Sequence, residues 1–398
     1  MKIAMIHWGY PPIIGGVETH LSQLCPALVE LGHEVFLLTG SHPEAASSYI
    51  EHGVKIKRLP IMDLNWLYHR GFASLENDIN REIEVFLDET KAEIIHAHNM
   101  HYFSKIHAKA LEQEALKRNI PLVLTAHNVW DDSEFLLLSN IKWDHIIAVS
   151  QFIKKELAGF GFNPDKITSI LHGVRGNNLN LSNKESAWQK YPVLKNRKVI
   201  FHPARMGLAK GSAVIVKAFR LIKNEFPDAL LVLAGTKNII DWGEYQQKEI
   251  AYIVQLLDVL GLRKDTLIDQ YPVDFMPAMY VAADICVYPS IFSEPFGLVM
   301  LESMSTGKPV VVSRSGGMPE VIKSGINGYI VPPNDYISLA RAIAKLFKDP
   351  KLASRLGQNG LKIFHQKFTL ERMVDDIIII YNNTLDLKRQ TKIYGSDS

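Results

Sequence analysis

Twice along this chain, short apolar runs of strand length alternate with amphipathic stretches of helix length. No other feature constrains the fold as much. Strands that alternate with helices close as a parallel sheet covered by helices on both faces. The first series places strands at residues 2–8, 33–39, 54–59, 93–98, 121–127, 145–150 and 166–172, with helical patterns at 17–31, 76–89, 105–118 and 152–159. The second places strands at 198–204, 229–234, 266–271, 285–289, 309–313 and 328–331, with helices at 212–225, 245–260 and 336–347. Between the two series the chain turns polar, with Gly176, Asn177, Asn178, Asn180, Asn183 and Pro192, a composition typical of a linker. At 398 residues the chain exceeds what one hydrophobic core usually organises. The expected organisation is an α/β first domain over residues 1–175, a linker at 176–196 and a second α/β domain over 197–369. A final apolar helix near 370–385 has few polar positions, so it is expected to pack on protein, crossing back to the first domain through about residue 390.

Two open parallel sheets in tandem are expected to hold a ligand at the carboxyl ends of their strands, in a cleft between the domains. Hydrophobic content of 47% and charged content of 22% are those of an ordinary globular protein, and a net charge of +2 gives no bulk attraction for nucleic acid. Cys25 and Cys286 have no metal-ligand spacing and read as buried small hydrophobes in a reducing compartment. The N-terminus reads as a strand rather than a secretory signal, and no run of 18 apolar residues occurs. The expected location is the cytoplasm, with peripheral membrane contact left open.

The strand ends carry the chemistry. Ile285-Cys-Val-Tyr-Pro-Ser290 delivers the chain to Glu294, and Pro295, Phe296 and Gly297 open an apolar helical run that carries Glu302. The N–H groups of a helix start, with the positive end of its dipole, make an anion site. Two carboxylates beside an anion site suit a ligand with both phosphate and sugar hydroxyls, which describes a nucleotide sugar. A glycosidase pair is the other chemical use of two carboxylates. Eight residues of helix rise roughly 12 Å, whereas such pairs sit about 5–5.5 Å or about 6.5–9.5 Å apart. A capping carboxylate on a solvated helix face is the bland alternative. Further along, Arg205 and Lys210 flank glycines in Arg205-Met-Gly-Leu-Ala-Lys-Gly211 at a strand-to-helix turn, where they would neutralise a diphosphate. Gly15 and Gly16 follow the first strand and open a helix, leaving its N–H groups unobstructed. His127 ends one strand and His96 and His98 end the strand before it, where a histidine is placed for proton or hydroxyl chemistry. A metal site made from them lacks a recognised spacing. GxxxxGK[ST] and strand-linked GxGxxG are absent, so the sequence gives no support to NTPase and dinucleotide-oxidoreductase readings. Trp8, Tyr10, Tyr102 and Trp130 near strand ends could stack on a sugar face, although core and rim packing is the commoner fate of each.

Together these residues resemble the family 4 retaining glycosyltransferases. The carriers are Gly15-Gly16, His127 in Thr-Ala-His-Asn, Arg205 with Lys210, and above all Tyr288-Pro-Ser-Ile-Phe-Ser-Glu-Pro-Phe-Gly-Leu-Val-Met-Leu-Glu302, followed by Gly307-Lys-Pro-Val-Val-Val-Ser-Arg-Ser-Gly-Gly317, Glu320, Gly325 and Gly328. The resemblance implies the GT-B fold: two tandem Rossmann-like domains with an interdomain cleft and a C-terminal crossover helix. It implies transfer of a hexosyl group (glucosyl, N-acetylglucosaminyl or mannosyl) from a nucleoside-diphosphate sugar, UDP-linked by preference. The acceptor would be a hydroxyl of a saccharide, a lipid-linked saccharide or a small polar molecule. Arg205 and Lys210 would hold the diphosphate. Glu294 would bind sugar hydroxyls beside the N–H groups around Phe296, Gly297 and Leu298, and Glu302 would bind the ribose. Gly15 and Gly16 would pass close to the phosphate, and His127 would contact the sugar. No metal or other cofactor is required on this reading. A nucleotide-sugar epimerase and a non-catalytic nucleotide-sugar-binding protein are the alternatives. Three departures from the family pattern stand at His172-Gly-Val-Arg175, Ala234-Gly-Thr-Lys-Asn and Tyr271-Pro-Val, the last near the expected nucleobase contact.

Overall fold

A computed structural model describes residues 1–129, 140–176, 184–235 and 243–394. Two compact units emerge. One is built on Met1–Leu171 and the C-terminal stretch from Leu370, the other on the described residues between His172 and Thr369.

The first unit holds strands β1 (Lys2–Ile6), β2 (Glu34–Gly40), β3 (Ser48–Glu51), β4 (Val54–Leu59), β5 (Ile94–His98), β6 (Leu122–Ala126), β7 (His145–Ala148) and β8 (Ile167–Ser169). They lie in the order β3-β4-β2-β1-β5-β6-β7-β8. All neighbours are parallel except β3, which turns back antiparallel on β4. In β1, Ile3, Ala4, Met5 and Ile6 are fully buried, which is why the strand reads as a continuous apolar run rather than an alternation. Ile3 stands opposite Val35 on one side and Ile94 on the other. Leu21, Leu24 and Leu28 of the helix Gly16–Glu30 pack into the same core as Met373, Val374, Ile377 and Tyr381 of the final helix, Leu370–Tyr394. That helix returns to the first unit, as its apolar face implies.

The second unit holds β9 (Lys198–His202), β10 (Ala229–Gly235), β11 (Thr266–Gln270), β12 (Ile285–Tyr288), β13 (Val310–Ser313) and β14 (Gly328–Val331), in the order β11-β10-β9-β12-β13-β14 and parallel throughout. Counted from β9, this is the doubly wound order 3-2-1-4-5-6. With the β3 hairpin set aside, β4-β2-β1-β5-β6-β7 repeats it in the first unit. Strand order therefore reverses between β1 and β5 in one unit and between β9 and β12 in the other. A crevice opens outside the carboxyl ends of the strands at such a reversal, and ligands of open α/β sheets bind there.

Of the stretch read as a linker, residues 177–183 lie outside the described residues. Beyond them stands a short helix, Lys184–Lys190, and the Tyr191 hydroxyl donates to the Asp269 carboxylate at 2.6 Å, holding this part of the chain on the second sheet.

Candidate functional site

At the β9/β12 reversal, two loops are sewn to each other. The first follows β9 and runs to Gly211; the second follows β12 and runs to Gly297. The Ile291 N–H and the Ser290 hydroxyl both donate to the Ala209 carbonyl, at 2.9 and 3.1 Å. His202, at the end of β9, is buried and pushed down to about 4 by that burial, so it is neutral. Its Nδ1–H donates to the Val287 carbonyl at 2.9 Å, which leaves Nε2 to accept from the Ser212 hydroxyl at 3.3 Å. The Ser212 oxygen in turn accepts from the Gly207 N–H. Gly211 closes the loop at φ +79, and a Cβ there would stand 1.9 Å from the Pro289 carbonyl oxygen. Only glycine lets the two loops approach so closely.

These loops bring Lys210 to Glu294. Lys210 Nζ lies 2.7 Å from Glu294 Oε2, with side-chain exposures of 23% and 13%, and 4.5 Å from the centre of the Phe292 ring. The pair touches solvent without being bathed in it, so its charges act in a medium of reduced dielectric. Arg205 sits on the same loop and is exposed. Glu294 is held through its backbone. Its carbonyl accepts from the Gly317 N–H at 2.8 Å, its N–H donates to the Ser315 hydroxyl at 3.3 Å, and Ser315 donates to the Phe292 carbonyl. Gly316, at φ +50, lies flat against this turn, and a Cβ there would meet the Glu294 carbonyl oxygen at 2.0 Å.

Glu302 projects from the helix Leu298–Ser305 and accepts a short hydrogen bond from the Tyr280 hydroxyl. Burial raises its carboxyl above the ordinary value, and the tyrosine opposes that rise. Phe296 is buried, packing edge-on to His172 and Phe368, whereas Gly297 and Leu298 at the helix start are half-buried.

The helix starts at these loops differ from others in the chain. Gly16–Glu30, Ser212–Glu225 and Leu298–Ser305 begin at Gly15, Gly211 and Gly297, none with a side-chain cap. Lys105–Arg118, Gln151–Gly159, Tyr336–Lys348 and Pro350–Lys367 begin at Ser104, Ser150, Asp335 and Asp349, each accepting from a helix N–H. Glu76–Thr90 and Met276–Ala282 also lack a cap, but they start at the apolar Leu75 and Phe275. A glycine start carries no capping side chain of its own, which favours an anion there, although the Glu18 carboxylate already covers the start at Gly15 and the Ser212 N–H is taken by the Gly207 carbonyl.

The β1/β5 reversal of the first unit is lined by buried histidines, with one His7–Glu18 pair beside them. His127 is buried, its backbone N–H donating to Asn99 Oδ1 at 2.8 Å and its Nε2 lying 3.0 Å from His98 Nδ1. His96 bridges Thr125 and the final helix's Tyr381, at 2.6 Å to each hydroxyl. Burial drives His20 and His96 down to about 3, and His98 well below its usual range. His7 lies 3.2 Å from Glu18, whose carboxylate covers Gly15: a Cβ there would stand 2.1 Å from Glu18 Oε2.

The residues singled out in the sequence thus fall into two groups. Arg205, Lys210, Glu294, Phe296, Gly297, Leu298 and Glu302 gather on the second unit, and Gly15, Gly16 and His127 on the first. Trp8, Tyr10 and Tyr102 are buried and serve packing; Trp130 lies outside the described residues. Cys25 and Cys286 are buried free thiols. Sequence reasoning missed Tyr280, His202 and Ser212, which act on the site only through the residues they hold. Ser315-Gly316-Gly317 stood in the quoted motif, but its role as a clamp on Glu294 did not show. Among the described residues no helix is long and apolar enough to cross a membrane.

Comparison with known proteins bears on both units. A family model described as Glycosyltransferase Family 4 matches residues 14–175, and one described as Glycosyl transferases group 1 matches residues 183–363. An uncharacterized glycosyltransferase of Methanocaldococcus jannaschii is 28% identical, over 97% of this chain and 99% of its own length. The N-acetyl-alpha-D-glucosaminyl L-malate synthase of Bacillus anthracis is 24% identical, over 96% and 97%. Among solved structures, the Anabaena protein HepE in complex with UDP-glucose superposes with a TM-score of 0.79 at 21% identity, covering 96% of this chain and all of that one. Together with the two parallel-sheet units and the returning final helix, this likeness gives the fold as GT-B.

Proposed function

Starting from a chain that belongs to the family 4 glycosyltransferases, we propose that it transfers a hexosyl group from a UDP-sugar to an acceptor hydroxyl, with retention at the anomeric carbon. The observation that carries this reading is the Lys210–Glu294 pair, set across the β9/β12 reversal beside two glycine-started helices. Support for the donor comes from the relatives, one of which is a structure with UDP-glucose bound.

The diphosphate lies against Lys210 and Arg205, with N–H groups from the helix start at Gly297. Glu294 accepts from hydroxyls of the transferred sugar, and Glu302, oriented by Tyr280, accepts from the ribose. Gly15 and Gly16 take a place near the diphosphate, and His127 contacts the sugar. As the bond from the anomeric carbon to the phosphate oxygen breaks, positive charge grows on the ring and negative charge on the leaving group. Fixed cations and helix N–H groups favour that second charge without reorganising, and this is the larger electrostatic task. The acceptor oxygen attacks from the face the phosphate leaves, and the leaving phosphate oxygen takes the acceptor proton. Every group in this account belongs to the chain or the substrates, and no metal is required. For the acceptor, a saccharide, a lipid-linked saccharide and a small polar molecule stand level.

The test is a panel of UDP-, GDP- and ADP-sugars offered to the purified chain, scored by release of the nucleoside diphosphate and by the anomeric coupling of the product. UDP release with a retained anomeric configuration is expected. An inverted product refutes the retaining mechanism. Conversion of a UDP-sugar to its epimer with no acceptor present places the chain among epimerases instead.

A further inference from the structure

Three histidines of the first unit converge from three separate elements. His20 lies on the helix Gly16–Glu30, His98 ends β5, and His127 follows β6. One ring nitrogen from each falls within 4.8 Å of those of the other two. Their ring centroids form a nearly equilateral triangle: 5.0 Å for His20–His127, 5.3 Å for His98–His127 and 5.6 Å for His20–His98. Three imidazoles on a tetrahedral zinc, with Zn–N of about 2.0–2.1 Å, set their centroids roughly 5.2 Å and their ligating nitrogens roughly 3.4 Å apart. His98 Nδ1 and His127 Nε2, at 3.0 Å, are already near that separation. We propose that His20, His98 and His127 form a site for a single divalent transition-metal ion of the zinc class, with a fourth coordination position open.

Backbone and ring contacts fix the places of His98 and His127. The His98 carbonyl accepts from the His7 ring at 3.0 Å, and the His96 ring lies against that of His98 with centroids 4.1 Å apart. His96 is itself fixed by Thr125 and Tyr381, and the His127 backbone by Asn99. The donor set is all nitrogen, which favours zinc, cobalt, nickel or copper over the oxygen-seeking magnesium and calcium. An ion here replaces the proton shared between His98 Nδ1 and His127 Nε2. That proton moves to the far nitrogen of its own ring, so three neutral imidazoles bind the ion and none is released.

A bound ion occupies His127, the residue assigned above to the transferred sugar, so metal is expected to lower transfer. That consequence rests on the proposed function; the binding itself does not.

The experiment is titration of the untagged full chain, stripped with chelator, with Co²⁺ followed by visible absorption, then displacement by Zn²⁺ in equilibrium dialysis. Expected are a single ion per chain, the intense bands of tetrahedral cobalt, and binding weakened at least about tenfold in His20→Gln but not in the exposed His69→Gln. Wild-type binding no tighter than that of His20→Gln, or the weak spectrum of octahedral cobalt, overturns the proposal. If His20→Gln does not fold, the wild-type spectrum and stoichiometry decide alone. Tight tetrahedral binding that leaves transfer unchanged supports the site and instead counts against the sugar contact of His127.

Discussion

The two units reverse their strand order in the same way, yet they place opposite electrostatics at the reversal. At β9/β12 the strand-end loops carry Arg205, Lys210 and Glu294, partly in contact with solvent, and the glycine-started helix Leu298–Ser305 carries Glu302. At β1/β5 the corresponding place is filled mostly by buried imidazoles, of which burial holds His20, His96 and His98 neutral, with a single His7–Glu18 pair beside them. A doubly wound sheet fixes where a ligand meets the protein, and the residues at the strand ends fix which ligand that is. Charges that are only half desolvated suit a diphosphate whose own charge changes during reaction. Neutral rings suit hydroxyls or a soft cation.

The comparison breaks if charge on the second unit proves dispensable. Glu294→Gln keeps size and removes charge, and is expected to lower turnover by roughly 10²–10³-fold with the melting temperature unchanged. Steady-state kinetics beside a thermal melt checks it, and undiminished turnover would remove Glu294 from the site. A smaller effect isolates geometry from charge. Gly316 and Gly325 both have positive φ, but only at Gly316 does a new Cβ strike the Glu294 backbone, since nothing lies within 4 Å at Gly325. Both alanine variants bear backbone strain of about 1–3 kcal/mol. Turnover is expected to fall at least several-fold in Gly316→Ala alone, and equal kinetics in the two would show that the clamp does not position Glu294.

Tyr280→Phe is subtler. Burial raises the Glu302 carboxyl and the Tyr280 hydroxyl lowers it, so removing the hydroxyl raises it further. Less of the carboxylate is then ionised at mildly acid pH. The acid limb of donor binding should move to higher pH, with KM rising more than kcat falls. A pH profile of KM for the donor reads this, and an unshifted acid limb would detach Glu302 from donor binding. The smallest functional effect belongs to the first unit. Tyr381→Phe leaves His96 Nδ1 short of the hydroxyl that holds it at 2.6 Å. A buried group left unsatisfied costs about 1–3 kcal/mol, so the melting temperature should drop by a few degrees while donor KM stays put. A changed donor KM with an unchanged melting temperature would mean that the two reversals are not chemically separate.

Much of this was legible in the sequence because strands show as apolar runs or alternations and helices as amphipathic stretches. Val54–Leu59, Gly328–Val331, Lys105–Arg118 and Ser212–Glu225 stand at the bounds their patterns imply. Several described elements were not legible, among them the short helices Leu64–Arg70, Lys184–Lys190 and Met276–Ala282, and two further ones show different reasons. β3, Ser48–Glu51, is a short edge strand with mostly exposed residues, so it carries no apolar signal. The helix Pro350–Lys367 contains Gly357 and Gly360, which weaken helical propensity. Gly357 is there for space: a Cβ would meet the Gly307 carbonyl oxygen at 2.0 Å, just beyond the helix that carries Glu302. Glu294 and Glu302 showed in the sequence because a strand-to-helix turn with two carboxylates is a local pattern. The convergence of His20, His98 and His127 did not, because three separate elements supply it and only the sheet order brings them together.

Calorimetric titration of UDP into wild-type, Lys210→Ala and Glu294→Gln protein tests the central claim most directly. If the second unit's strand-end loops hold the diphosphate, Lys210→Ala loses a charge-assisted contact of about 1.5–3 kcal/mol and UDP binds at least about tenfold more weakly. Glu294→Gln, which only releases Lys210 from its ion pair, should bind UDP as well as wild type or better, while losing affinity for the intact UDP-sugar. Unchanged UDP affinity in Lys210→Ala would contradict the assignment of the diphosphate to this loop.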